Sequence, residues 1–421
     1  MKLSLIGSGY VGMVTGACFS SLGHEVTLVD VIEEKVKLVN AGIPTVYEKG
    51  LETLVAGGVG RGMLRATTDL RGAVSSTDAT FICVGTPSRP DGTQDTHHIE
   101  DASEQIGRSL KNGERHHVII VKSTVLPGTT MQSVRERIEM SSGKKAGRDF
   151  GLGMNPEFLK EGDAVNDFLH PDRIVVGYLD ERTKETLREL YQPIGAPMVF
   201  TDCTTAEMIK YASNVFLSAR VALINELGNV AKQIGVDIRT VAKAIGMDRR
   251  IGPLFLNAGA GFGGSCFRKD ASAISQMARE RGTGTPIIDA VLLQNERQPL
   301  RLIELLEKNG PVLGKTVAVL GLSFKPESDD IREAPSIKVV SALVERGARV
   351  VAFDPAAMEN FKKLFPAIVY AESAAAAVQI SDAVVVVTEW KEFSDPELYG
   401  SRLVVDGRGV TKTKNYEGIC W

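Results

Sequence analysis

The chain has 421 residues, of which 43% are hydrophobic and 24% charged, with a net charge of −3. That length calls for two or three domains, and the balance of charge gives no global pull toward nucleic acid or an anionic membrane. Five cysteines (Cys18, Cys83, Cys203, Cys266 and Cys420) are scattered and odd in number, which argues against a disulfide framework or a CxxC zinc site and for a reducing cytoplasm.

The opening MKLSLIGSGYVG starts a strand at once, without the charged and apolar regions of a secretion signal. No apolar run reaches the roughly 20 residues of a membrane helix. Gly7, Gly9 and Gly12 follow that strand at GxGxxG spacing and open a helix, and Asp30 closes the next strand. Strand, glycine turn, helix and acid together form a dinucleotide fingerprint. The helix N-terminus meets a pyrophosphate, and the carboxylate accepts from ribose hydroxyls, favouring NAD over NADP.

Further short apolar runs at 79–85, 117–123, 150–155, 173–178 and 197–202 alternate with helical stretches and read as a parallel sheet covered on both faces. The paired histidines at 97–98 and 116–117 have no ligand-spaced partners; they read as surface or loop residues, and no metal is expected. From Thr204 to about Ile234 a proline-free run is apolar around most of its circumference. A helix of that length, roughly 45 Å, reads as a spine between domains that also forms a subunit interface. An ordinary core helix broken in two is the alternative. Helical segments continue to about residue 309.

A second strand–helix alternation follows, with strands at 316–321, 348–354, 382–388 and 402–407. Its first turn, GLSFKPESDDIRE, lacks the triple glycine and is not expected to hold a second dinucleotide. Lys325 and Arg332 fall near the mouth of that sheet, where a ligand crevice lies. The fold class is therefore α/β: two Rossmann-like doubly wound domains joined by a long central helix and a helical dimerisation region. The boundaries read as 1–202, 203–309 and 310–421.

The stretch AGAGFGGSCFRKDAS (258–272) spends four glycines around one cysteine, although each glycine costs roughly 0.5–1 kcal/mol more to order than alanine. Cys266 precedes a helix and a lysine, a setting that lowers a thiol's pKa, and the glycines let a substrate carbon approach the sulfur. Cys18, Cys83 and Cys203 read as buried and inert. A nicotinamide cofactor with a nucleophilic thiolate suggests oxidation past the aldehyde, through a thiohemiacetal and a thioester that water then hydrolyses. Lys210 and Asn214, one helical turn apart, could hold a developing alkoxide. Glu157 and Glu161 lie just past a strand end.

These segments, with GSGYVG, CVGTP, KSTVLPGTT, NPEFLKEGDAVNDFLHPDRIVVG, AEMIKYASNVFLSARVALINELGNVA, DRRIG, GAGFGGSCFRKD, GLSFKPESDDIRE and DGRG in this order, resemble the UDP-glucose 6-dehydrogenase family of sugar-nucleotide dehydrogenases over nearly the whole chain. The resemblance implies NAD as cofactor and UDP-glucose as substrate. It implies Cys266 as nucleophile, Lys210 and Asn214 at the oxyanion, Asp270 with Lys210 in proton removal, and Thr124 and Glu157 at the hydrolytic water. Cofactor contacts map to Gly7, Gly9, Tyr10, Val11, Gly12, Asp30, Lys35, Thr86, Thr124, Glu161, Lys269 and Arg332. Substrate contacts map to Glu157, Phe158, Leu159, Lys160, Lys210, Asn214, Phe255, Gly259, Gly263, Phe324, Lys325 and Arg408. Arg250 would reach into a neighbouring subunit's site, in a cytoplasmic homodimer with no nucleic-acid or membrane partner.

The sequence departs from the family pattern at Arg268, where many relatives carry proline, and at KPESDD, where KPNTDD is more usual. A sister enzyme acting on GDP-mannose or a UDP-N-acetylhexosamine would use the same catalytic set. A two-electron β-hydroxyacid dehydrogenase would have no use for the cysteine loop or the last domain. A non-enzymatic NAD sensor would bind without producing NADH.

Overall fold

The computed structural model describes residues 1–89, 92–113 and 115–421. The chain divides into two compact units, Met1–Ala212 and Ser213–Trp421. The first holds eight strands: β1 (Lys2–Ile6), β2 (Glu25–Val29), β3 (Leu64–Thr67), β4 (Ala79–Ile82), β5 (Val118–Val121), β6 (Gly151–Met154), β7 (Ile174–Tyr178) and β8 (Met198–Thr201). Their order is β3-β2-β1-β4-β5-β6-β7-β8, so the direction of winding reverses between β1 and β4, where an open α/β sheet takes its ligand. Two apolar cores lie in this unit, one including Leu5, Phe19, Phe81 and Ile120, the other including Ile82, Ile119, Val121 and Leu152. Neighbours such as Phe81 and Ile82 point to opposite cores, as the two-residue period of a strand buried on both faces demands.

The sheet is not wholly parallel, as the apolar runs had suggested: β7 pairs antiparallel to β6, and β8 then runs parallel to β7. A parallel connection would have carried the chain across a face of the sheet. The antiparallel one starts β7 beyond the carboxyl end of β6, so NPEFLKEG follows that end directly, while Ala164 and Phe168 further on join the core beside Phe19. Strand β3 escaped the sequence pattern because exposed Arg65 breaks its apolar run, whereas equally short β4 and β5 are buried throughout. His117 also departs from expectation. It is 4% exposed, and its ring bonds the Thr80 hydroxyl at 2.6 Å and the Thr77 carbonyl at 3.1 Å, a satisfied core histidine rather than a surface one. Burial pushes its pKa down to about 4.

The second unit repeats the winding. Strands β9 (Thr316–Leu320), β10 (Arg349–Phe353), β11 (Val369–Tyr370), β12 (Ala383–Val386), β13 (Leu403–Asp406) and β14 (Tyr416–Gly418) stand in the order β11-β10-β9-β12-β13-β14, with every pairing parallel. Two- and three-residue β11 and β14 are too short to leave a periodic signal. Asp354 at the end of β10 is fully buried. Its carboxylate accepts from Leu322 N–H, the Ser323 N–H and hydroxyl, and Trp390 Nε1–H. The acid that a dinucleotide site would turn to ribose is thus consumed by its own turn.

One unbroken helix, Cys203–Gln233, runs 31 residues. Its central face is not buried: Phe216, Leu223, Leu227 and Val230 are 73%, 60%, 43% and 58% exposed. Among the described residues no helix is long and apolar enough to cross a membrane.

Candidate functional site

The residues singled out in the sequence fall into one group in each unit. In the first, the fingerprint turn is built for close backbone approach. A Cβ on Gly12 would lie 1.9 Å from the Gly7 carbonyl oxygen, whereas one on Gly9 would meet no protein atom within 4 Å. Protein packing therefore accounts for Gly12 and not for Gly9, whose smallness fits a ligand lying against the turn. Asp30 accepts from the Ser8 N–H at 3.0 Å and hydroxyl at 2.6 Å and from Ile32 N–H, with Lys35 3.7 Å away. Burial pushes its carboxyl up, but these donors and Lys35 together hold it below the usual range. An ionised acid at this position suits the ribose of NAD.

Tyr10, the next fingerprint residue, donates to Glu48, which the sequence reading missed. Glu48 is 5% exposed and also accepts from Gly162 N–H at 2.7 Å, so the fingerprint is pinned to the turn that carries Glu161. Burial and the neighbouring Glu48 and Glu161 raise the Tyr10 pKa. Nothing in the local sequence YEKGLETL marks this role. Thr86 donates to the Thr124 carbonyl at 2.7 Å.

Glu157 and Lys210 form an ion pair of 2.9 Å with side chains 9% and 5% exposed. The other Glu157 oxygen accepts from Leu159 N–H at 2.8 Å. Burial raises this carboxyl, yet Lys210, the Leu159 amide and Lys122 outweigh it and keep it ionised. Lys210 also stands over the Phe158 ring at 5.4 Å, and Arg173 lies 3.9 Å from the same ring. Behind the pair Lys122, 3% exposed, donates to Asn155 Oδ1 at 2.9 Å, and burial lowers its pKa to about 8. Lys160 turns instead to Asp167, 3.1 Å away, and Glu161 is half-buried.

In the second unit the cysteine loop lies against neighbouring backbone. A Cβ on Gly263 would come within 2.7 Å of the Glu333 carbonyl oxygen and 2.8 Å of Phe324 Cβ, and Gly264 sits at φ +83° against the Phe324 ring. Side chains satisfy the loop's main chain: Asn225 accepts from Gly259 N–H, Asn295 both accepts from and donates to Phe262, and Arg408 donates to the Gly261 carbonyl. The loop delivers Cys266 to the N-cap of the helix Phe267–Glu280. Four of the five cysteines are buried; Cys266 is exposed. Burial pushes the Cys18, Cys83 and Cys203 thiols up to about 12 and Cys420 to about 11, which makes them poor nucleophiles.

One turn into that helix Asp270, 1% exposed, accepts from Asn214 Nδ2 at 2.6 Å and from Lys269 Nζ at 2.5 Å. Arg268 bridges Glu296 and Glu333, the latter at 3.3 Å, tying the helix start to two other segments. A proline there would make no such bridge. Arg332 pairs with Asp330 at 2.6 Å, and Lys325 stands over the Phe324 ring at 5.3 Å. Phe255 occupies φ +60°, uncommon for an aromatic residue, with its ring 6.2 Å from that of Phe267. Arg250 is 88% exposed and paired with Asp248. Glu327 takes φ +57° where the usual motif has asparagine, a left-handed conformation that costs asparagine less than glutamate. No cluster able to hold a metal exists among the described residues.

A doubly wound sheet with this fingerprint turn, an ionised acid closing the second strand, and an exposed thiol elsewhere in the chain define an NAD-using dehydrogenase. The chain belongs to the UDP-glucose/GDP-mannose dehydrogenase family, matching its NAD-binding domain over residues 1–195, its central domain over 204–297 and its UDP-binding domain over 318–413. A UDP-glucose 6-dehydrogenase of Haloferax volcanii is 44% identical, with all of both chains covered. A UDP-glucose dehydrogenase structure from the archaeon Pyrobaculum islandicum superposes with TM-score 0.95 at 42% identity, covering 100% of this chain and 98% of that one. A GDP-mannose dehydrogenase from Pseudomonas aeruginosa matches with TM-score 0.60 at 37% identity over the whole of both chains.

Proposed function

We propose that the chain oxidises C6 of UDP-glucose twice, giving UDP-glucuronate, in three parts spanning 1–202, 203–309 and 310–421. NAD, when bound, supplies the hydride acceptor for both oxidations. Gly7, Gly9, Tyr10, Val11, Gly12, Asp30, Lys35 and Thr86 would hold it, with Glu161, Lys269 and Arg332 contributing. Lys210 and Asn214 steady the oxygen at C6 as it gains charge, and Asp270 with Lys210 draws off the hydroxyl proton through water. The Cys266 sulfur adds to the aldehyde carbon and becomes a thioester after the second oxidation. Thr124 and ionised Glu157 orient and deprotonate the water that forms the new C–O bond as the C–S bond breaks.

The observation that carries this reading is the second unit's thiol: one exposed cysteine, held by a loop that only glycines fit, one turn from a buried Asp270–Asn214 pair. Phe158, Leu159, Lys160, Phe255, Gly259, Gly263, Phe324, Lys325 and Arg408 complete the sugar-nucleotide site. The exposed row on the central helix pairs two copies in the cytoplasm, with Arg250 reaching the partner's site. The test is a substrate panel followed by NADH absorbance. UDP-glucose should turn over, with GDP-mannose and UDP-N-acetylhexosamines far slower; preference for one of the latter assigns the chain to a sister activity.

A further inference from the structure

The segment that follows β5 is held at every second residue from 124 to 130. Gln94, 8% exposed, donates to the Thr124 carbonyl at 2.8 Å and accepts from Leu126 N–H at 3.1 Å. Glu207 is fully buried; its two carboxylate oxygens accept from Gly128 N–H at 2.6 Å and Thr130 N–H at 2.8 Å. Both side chains connect the segment to one stretch of the long helix. Glu207 lies three residues before Lys210 on it, and Gln94 also donates to Tyr211 Oη, 3.2 Å away.

Glu207 is costly to keep. Among the described residues no cation pairs with it, and Asp202 adds to the burial that disfavours its charge; a buried carboxylate without a cation destabilises the fold. Two main-chain N–H groups could have been satisfied by a neutral acceptor. The acid instead binds both at once, fixing the distance and orientation between the segment and the helical turn.

We propose that Glu207 is a positioning residue for Thr124, clamping the segment 124–130 to the turn of helix that carries Lys210. It touches neither substrate nor cofactor. The inference rests on the role given above to Thr124 in hydrolysing the Cys266 thioester. In that step water's oxygen forms the C–O bond, one water proton passes to Glu157, and sulfur leaves as thiolate, with no change of oxidation state. A loosened segment would slow this step and spare the two oxidations before it.

The test compares Glu207→Gln, Thr124→Ala and the double variant, with UDP-glucose and NAD, in rapid-mixing experiments and by mass spectrometry of quenched enzyme. Glu207→Gln should give a burst of two NADH per active site, then a steady rate roughly 10- to 100-fold below wild type. A UDP-glucuronyl adduct on Cys266 should accumulate while KM for NAD stays near wild type. The double variant should be no slower than Thr124→Ala alone. Gln94→Leu cuts the other two ties without touching the acid, so its burst and adduct decide the matter if Glu207→Gln does not fold. A wild-type rate, additive losses, or slow turnover without adduct in Glu207→Gln, beside a slow, adduct-forming Thr124→Ala, overturns the clamp alone. A Thr124→Ala variant that turns over normally overturns the hydrolytic reading and the clamp with it.

Discussion

Glu157 and Lys210 show how much a single buried pair can govern. Each side chain is almost wholly removed from solvent, so truncating Lys210 would strand a carboxylate in the interior. Lys210→Ala is therefore expected to destabilise the protein by about 3–5 kcal/mol, read as a lower urea midpoint, in addition to its loss of turnover. Lys210→Ala/Glu157→Gln should recover much of that stability and none of the activity. A second residue-scale prediction concerns pH. Burial raises the Glu207 carboxyl to about 7, above its unfolded value near 4.5, with Asp202 adding to the rise and the Thr130 and Gly128 donors opposing it. The folded state then holds the proton more tightly than the unfolded one, and raising pH through that window costs stability, by up to roughly 1.4 kcal/mol per pH unit. Melting temperatures measured from pH 5 to 8 should fall less steeply for Glu207→Gln than for wild type; parallel curves would contradict the assignment. At this scale the sequence marks some residues and not others. Cys266, Lys210, Asn214 and Glu157 carry motif spacing that chemistry explains. Glu48, Gln94 and Asn295 do not, because a buried polar side chain that satisfies distant main chain leaves no periodic trace. Glu207 leaves no such trace either, standing among Thr204, Thr205 and Lys210 in a mixed turn of helix.

Strands were readable where they form continuous apolar runs, even at the four residues of β4 and β5, and the failures have physical causes. The strands β11 and β14 are too short for a pattern, Arg65 interrupts the apolar run of β3, and the reversal of β7 depends on where the 155–173 connection packs, which hydropathy does not encode. Loop strain offers a direct test. Glu327 is exposed and held at φ +57°, so Glu327→Asn should gain about 1 kcal/mol, measured by thermal or urea unfolding; no gain would mean that the glutamate side chain compensates. The long helix was correctly read as continuous, but its apolar circumference was only partly absorbed by its own chain. Phe216, Leu223, Leu227 and Val230 recur at helical spacing along it, and exposed apolar rows of this kind mark interfaces. Replacing Leu223, Leu227 and Val230 together with aspartate should halve the mass seen by sedimentation equilibrium while leaving the helical circular dichroism intact. A wild-type protein that sediments as a monomer would contradict the paired assembly.

At the scale of the whole molecule, two Rossmann-like windings have been put to different ends. The first sets an ionised, part-buried Asp30 beside a glycine turn that fits a dinucleotide; the second buries Asp354, while Phe324, Lys325 and Arg408 stay partly exposed. A two-electron dehydrogenase would need only the first, and the cysteine loop would be idle expense. The most direct measurement is the amount of NADH formed per UDP-glucose consumed, with the sugar product identified in the same sample. Two NADH and one UDP-glucuronate are predicted, falling to no glucuronate with Cys266→Ala. One NADH with a released aldehyde, or glucuronate still formed by Cys266→Ala, would contradict the double oxidation on the Cys266 sulfur.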